Sequence, residues 1–307
     1  MADSQDFTTK FVGVEALIST LNAVCLDGSG TILDSRKGVF DPTQVTIPQI
    51  IGFIKELQKT FGSFERIGIA VPGLIHPETK RVAFSTHIPE HSEIDLTRSV
   101  QDSTGLKTLI ENDANAAAFG EFRIGAGRGT SSLFYATLGT GVGGAFIFDG
   151  RIWRGTAGFA GEFGYVPIDS EGTRLEDVAS SANIVRRTRE RFHQDSTSSL
   201  NSLDEERIGI ADIVGAAGND DDFAQMMLER TGEYVGTAIA SVINLLNIEK
   251  IVIGGEIMEA KHLVLDSVIS RAKEVSFGPS FENTEIVSGE LGEHAAAAGV
   301  ALMANEN

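Results

Sequence analysis

The chain has 307 residues, 42% of them hydrophobic, and carries 25 Lys and Arg against 43 Asp and Glu, a formal net charge of -18. That size and composition describe a globular protein of one large or two medium domains, and no uninterrupted apolar run is long enough to cross a bilayer. Such acidity repels nucleic acid and anionic membrane, and Cys25, the only cysteine, excludes an internal disulfide framework and a cysteine-rich zinc cage.

The first ten residues, MADSQDFTTK, hold no apolar core or cleavage pattern, so a cytoplasmic protein is expected. Residues 11–35, FVGVEALISTLNAVCLDGSGTILDS, run in short apolar segments that turn at Asp27-Gly28-Ser29-Gly30 and read as antiparallel strands. Apolar positions at helical spacing over 47–60 predict a helix, and RIGIAVPG at 66–73 is a compact strand. A short helix over 95–103 precedes the strand KTLIE, and an alanine-rich helix begins at Asp113. From residue 131 a second strand set starts with SSLFYATLG, GGAFIFDG and RIWRG, joined by glycine turns, which suggests a second lobe. Beyond Glu176 the chain reads as helical, with a long run over 222–246. It then alternates strand IVIGG, helix 257–275, strand TEIV and helix 293–304. Both halves open with strands and continue as strand-helix units, which hints at a duplicated architecture. Two α/β lobes are expected, one over 1–114 completed by a C-terminal helix within 291–307, the other over 115–290.

Chemistry concentrates between residues 107 and 165. Asp113 sits where a strand passes into a helix, the place where parallel α/β sheets expose ligand groups and where a helix N-terminus stabilises an anion. An aspartate there also reads as a simple helix cap. Glu111 and Asn112 beside it gather three polar side chains at one strand end, which favours a ligand site. LGTGVGG offers Gly139, Thr140, Gly141, Gly143 and Gly144 within six residues. A tight hairpin needs some of these, and bare amides with a hydroxyl also make a nest for phosphate. The stretch is neither a Walker loop nor a dinucleotide fingerprint, because no Gly-Lys-Ser/Thr follows and strands flank it. Glu162 and Tyr165 in GEFGY, and His87 and His91 in FSTHIPEH, read equally as surface-loop residues or ligand contacts. The lone tryptophan, Trp153, reads as core.

Together VPGLIHPETKRV, ENDANAAAFGE, TLGTGVGGAFIFDGRIWRGTAGFAGEFGY, IVIGGEI and LGEHAAAAGVALMA resemble, in order and spacing, the ROK family of sugar kinases and sugar-responsive repressors. The resemblance covers nearly the whole chain from Phe11 to Ala304. It implies a two-lobed α/β fold of the actin-like ATPase class, ribonuclease H-like, with the active site in the cleft between lobes. It implies ATP-dependent phosphorylation of a hexose or hexose derivative, glucokinase-like, with magnesium accompanying ATP, and a homodimer. Asp113 would be the base that takes the proton from a sugar hydroxyl. Gly73 and Asn112 would lie beside the sugar, and Glu162 and Glu176 would bind other hydroxyls. Gly139, Thr140, Gly141, Gly143 and Gly144 would lie on the nucleotide phosphates, with Gly254 and Gly255 near the adenosine.

Four departures from the family pattern stand out. The first phosphate loop, in the family an aspartate, a spacer and then Gly-Gly-Thr, here has Glu15 at the acid and Leu17, Ile18 and Ser19 at the glycines and threonine, so side chains obstruct close backbone approach to phosphate. Tyr165 stands where the family has a histidine, and IDSEGTRLEDVAS replaces its cysteine cluster, so structural zinc is not expected. His87 stands where a sugar-binding asparagine is usual. Glu256 follows the Ile-Gly-Gly turn where another glycine is usual, which sets an anion near the expected nucleotide. These departures leave a second expectation, a catalytically weak homologue that senses sugar. About ten residues precede the first strand, too few for a helix-turn-helix module, so direct DNA binding is not expected.

Overall fold

The computed structural model describes residues 9–76, 79, 82–84, 95–260 and 262–306. The chain forms two compact units. One comprises the chain up to Gly129, Phe146–Ala160 and the chain from Glu293; the other comprises Thr130–Ala145 and Gly161–Gly292. The boundary expected after residue 114 falls inside a helix, Asp113–Ile124, that lies wholly in the first unit.

Strands β1 (Phe11–Ala16), β2 (Thr20–Leu26) and β3 (Ile32–Val39) open the chain. Helix α1 (Thr46–Thr60), β4 (Arg66–Val71), the short pair β5 (Leu74–Ile75) and β6 (Val82–Phe84), α2 (Leu96–Thr104), β7 (Lys107–Asn112) and α3 (Asp113–Ile124) follow. The sheet order is β3-β2-β1-β4-β7, antiparallel from β3 to β1 and parallel from β1 to β7. Hairpins suffice for the antiparallel part, whereas each parallel step needs a crossover, and α1 and α2 lie in those connections. Strand β4 is buried from Ile67 to Val71 without alternation, as expected of a parallel strand covered on both faces. Ile50, Ile54 and Leu57 of α1 share one buried cluster with Ile67 and Ile69, each side chain stabilising the fold by roughly 1.5–3 kcal/mol.

The later elements are β8 (Ser132–Leu138), β9 (Val142–Phe148), β10 (Arg151–Trp153), α4 (Glu176–Ala179), α5 (Ser181–Arg189), α6 (Ile210–Gly218) and α7 (Asp222–Leu246). They continue with β11 (Lys250–Gly254), α8 (His262–Val275), α9 (Gly278–Phe281), β12 (Glu285–Ser288) and α10 (Ala295–Glu306). The second sheet has the order β10-β9-β8-β11-β12, with β8, β11 and β12 parallel. Strand for strand this repeats the first sheet, so the duplication hinted at by the sequence is present in the topology.

The alanine-rich sequences of α3 and α10 have a packing cause. A Cβ at Gly299 of α10 would lie 1.7 Å from the Ala116 carbonyl oxygen of α3, and one at Gly13 of β1 would lie 2.0 Å from the Ala297 carbonyl oxygen. Helix α10 is therefore held backbone to backbone against both α3 and β1, a separation that only small residues allow. That contact fixes α3, and with it the strand-to-helix junction at Asp113.

Trp153 is not core. It is 52% exposed on the edge strand β10, opposite Phe146 in register, with its ring edge-on to Phe146 and Phe148 at centroid distances of 5.9 and 6.3 Å. An edge strand with partners on one face leaves the other side of the indole in solvent.

Candidate active site

The polar residues expected to act fall into two groups, one in each unit. In the first, β7 ends in Asn112 and α3 begins at Asp113 without a connecting loop. The helix is capped by Asn112, whose Oδ1 accepts the Asn115 N–H at 2.9 Å. The capping role weighed for Asp113 thus belongs to its neighbour. Asp113 Oδ1 accepts the Ala114 N–H at 2.9 Å and Asn112 Nδ2 at 3.0 Å. Asn112 Nδ2 also donates to the Gly73 carbonyl at 2.9 Å, so Gly73, Asn112 and Asp113 form one cluster. An acid in the first turn of a helix lies at the positive end of the dipole and is favoured as a carboxylate.

Beneath it lies a pair that no local pattern announces. Glu111 is buried, and its carboxylate accepts Arg154 Nη1 on Oε1 at 2.8 Å and Arg154 Nη2 on Oε2 at 2.5 Å. Oε1 also accepts the Asn112 N–H at 3.0 Å and Asn115 Nδ2 at 3.1 Å. A bidentate guanidinium with two further donors satisfies a buried carboxylate. Burial opposes the Arg154 charge, but the hydrogen bonds and charge of Glu111 together outweigh it and raise the guanidinium pKa above its ordinary value. The Arg154 carbonyl accepts the Ala160 N–H at 3.1 Å, which closes the 154–160 loop. The partners are 43 residues apart, so the only signal in the sequence was a charged residue inside an otherwise apolar strand end.

Glu15 closes the same unit's acidic group. Desolvation and the nearby Asp113 carboxylate push its carboxyl up to about 8, against one hydrogen bond from Asn22 Nδ2 at 3.4 Å. The β1–β2 turn beyond it is closed by the Leu17 N–H on the Thr20 carbonyl at 2.9 Å, and Ser19 is exposed at its tip. This turn carries the Leu17 and Ile18 side chains where a phosphate cradle needs bare backbone, and one of its amides is already used.

In the second unit residues 139–141 join β8 to β9, on whose first residues Gly143 and Gly144 lie, and the Gly139–Gly144 turn comprises both parts. Its glycines have different causes. A Cβ at Gly144 would lie 2.9 Å from the Phe134 ring and 3.0 Å from Phe163 Cβ, so packing alone accounts for that glycine. At Gly139 nothing lies within 3.8 Å of the same position, so no packing constraint accounts for the missing side chain. Thr140 is exposed beside it. The Gly139 N–H is used within the turn, on the Gly141 carbonyl at 3.0 Å, and the Val142 N–H donates to Glu176 Oε2 at 2.9 Å. The Gly139–Thr140 backbone thus carries no bulky side chain, unlike Leu17 and Ile18 of the first turn, while the Gly139 and Val142 amides are already engaged.

Glu176 and Glu162 interact electrostatically: desolvation, and then the Glu176 carboxylate, push the Glu162 carboxyl above its ordinary value. Tyr165 is 53% exposed and lies under the Arg174 guanidinium, 4.5 Å from its ring centroid. Gly254 and Gly255 pack at the end of β8: a Cβ at Gly254 would lie 2.3 Å from Tyr135 Oη, and one at Gly255, where φ is 96°, 2.2 Å from the Leu138 carbonyl oxygen. Gly143 lies on β9. His87 and His91 lie outside the described residues. Among the described residues, no three His, Cys, Asp or Glu side chains converge as a metal-binding group, and no helix is long and apolar enough to cross a membrane.

The model of the ROK family matches residues 11–307. The chain belongs to the ROK family. A ROK glucokinase from Streptomyces griseus, solved with glucose and AMPPNP, superposes with a TM-score of 0.85 at 26% identity, covering 97% of this chain and 100% of that one. The two sheets are thus those of the ROK sugar kinase fold, in the actin-like ATPase class. The glucokinase of Halalkalibacterium halodurans is 33% identical over 84% of this chain and 83% of its own. The xylose repressor of Bacillus subtilis is 28% identical over 94% of this chain and 75% of its own. The family therefore brings together sugar kinases and sugar-linked regulators, and this ROK protein has relatives of both kinds.

Proposed function

We propose that this ROK protein is an ATP-dependent sugar kinase that phosphorylates a hexose or hexose derivative. The observation that carries the reading is the division of labour at the β7–α3 junction: Asn112 caps the helix and holds Asp113, which leaves the aspartate a chemical role. In that role the Asp113 carboxylate takes the proton of a sugar hydroxyl as its oxygen attacks the γ-phosphorus. The bond from that phosphorus to the ADP oxygen breaks, and ADP leaves with the electron pair. Gly73 and Asn112 lie beside the hydroxyl, and Glu162, Tyr165 and Glu176 contact the rest of the sugar, with His87 as a further contact. Gly139, Thr140, Gly141, Gly143 and Gly144 take the phosphates, with Glu15 and Ser19 at the first turn and Gly254 and Gly255 at the adenosine. Magnesium bound to ATP screens the charge between its phosphates.

A second reading is a sugar-binding sensor with weak catalysis. It is favoured by the β1–β2 turn, where Leu17, Ile18 and Ser19 replace a bare cradle. Purified protein incubated with magnesium, ATP and a panel of hexoses, amino sugars and N-acetyl sugars separates the two. Sugar-dependent ADP release supports the kinase. Thermal stabilisation by a sugar, with no turnover and no effect of ATP, supports the sensor.

A further inference from the structure

Three groups of the second unit meet at the Gly139–Gly144 turn. Ser181, the first residue of α5, donates its N–H to the Gly139 carbonyl at 2.8 Å and its hydroxyl to Glu256 Oε1 at 2.5 Å. Glu256 follows β11 and is exposed, and its Cγ and Oε1 lie 3.8 and 3.9 Å from the position a Cβ on Gly139 would take. Serine thus ties the carboxylate to Gly139, a glycine of the turn that no close packing explains. Among the described residues no lysine or arginine pairs with Glu256. A second carboxylate, Glu176, already accepts the Val142 N–H of the same turn.

We propose that Glu256 is a specificity-determining acid of the phosphate turn, which disfavours ligands in proportion to their negative charge and so selects a magnesium-complexed nucleotide over the free triphosphate. The inference rests on the reading of the Gly139–Gly144 turn as the phosphate site. A carboxylate held beside the turn repels an anion bound there even through water, and the repulsion multiplies with each charge on the ligand. The Ser181 hydroxyl holds the carboxylate in place, so the side chain does not simply swing away. A magnesium ion cancels two charges of the triphosphate and removes much of the penalty. Because the acid is exposed, salt screens its effect, which gives the mechanism a signature that a packing role lacks.

The test is equilibrium binding of adenosine, AMP, ADP and ATP, each with EDTA, and of magnesium-ATP, to the full chain and to Glu256→Gln at low and high salt. Glutamine keeps the shape and accepts the Ser181 hydroxyl. The expected result is unchanged adenosine affinity, and a gain in the variant that rises along the series to about fivefold or more for free ATP. The gain is smaller for magnesium-ATP and shrinks at high salt. An equal gain for adenosine and ATP, or none for ATP, overturns the inference. If sugar-dependent ADP release persists beside such a flat series, only this inference falls. If neither protein binds any nucleotide, the phosphate-site reading falls and takes the inference with it.

Discussion

Arg154 meets Glu111 through two parallel hydrogen bonds, and Glu111 stands two residues before Asp113 on the strand that presents it. The pair ties the 154–160 loop to the β7–α3 junction, since Glu111 also accepts the Asn112 N–H and the Asn115 amide. Arg154→Ala leaves a buried carboxylate with two neutral donors and no cation, a loss of about 3–5 kcal/mol in unfolding free energy. Glu111→Gln keeps the shape and one carbonyl acceptor, so its loss is smaller. Chemical denaturation measures both. Equal stability of Arg154→Ala and the parent would refute the role given to the pair.

Asp113→Asn tests the base. The amide keeps an oxygen for the Ala114 N–H, so the helix start is retained and stability changes little. It cannot accept the sugar proton at neutral pH, and general-base catalysis accounts for about 100- to 10,000-fold in rate. The expected outcome is a fall of that size in kcat for ADP release with sugar affinity largely kept. A rate within twofold of the parent would remove Asp113 from the chemistry.

Much of this was legible in the sequence for physical reasons. Helix α7 fills the 222–246 run because its apolar positions recur at helical spacing, and β4 is visible because a strand covered on both faces is apolar throughout. The clustering of Glu111, Asn112 and Asp113 was visible as three polar residues after an apolar run. Their separate jobs were not: capping depends on which side chain reaches the Asn115 N–H, and Glu111 is explained only by an arginine far along the chain. The glycines show the same limit. Gly139 and Gly144 look alike in LGTGVGG, yet a Cβ on one would make only ordinary contact with Glu256, while on the other it would press into the Phe134 ring. Trp153 misled because composition favours burial of tryptophan, whereas its place on an edge strand is a property of the topology.

The α3–α10 contact makes a sharper mechanical prediction. Gly299→Val sets a branched side chain where Ala116 backbone already lies, so the helices must separate along their whole contact. Gly52→Ala, in α1, meets nothing within 4 Å and favours the helix by removing backbone freedom. The first variant is expected to be poorly folded or destabilised by about 3 kcal/mol or more, and the second to gain about 0.5–1 kcal/mol. Thermal unfolding reads both. A Gly299→Val protein as stable as the parent would mean that α10 does not clamp α3.

The last prediction concerns Glu15, whose proton the folded protein holds up to about pH 8 because burial and the Asp113 charge oppose ionisation. The unfolded chain releases the same proton near the ordinary value of 4.5. Below 4.5 both states are protonated and the stability linked to this group is fully present. As pH rises towards 8 the unfolded state alone loses the proton, so stability falls through that window and levels off above it. Glu15→Gln removes the titration while keeping a neutral acceptor for Asn22. The variant is therefore expected to match the parent in Tm near pH 4 and to exceed it by a few degrees at pH 9. A constant difference in Tm across the range would show that the Glu15 carboxyl ionises as readily in the folded protein as in the unfolded chain.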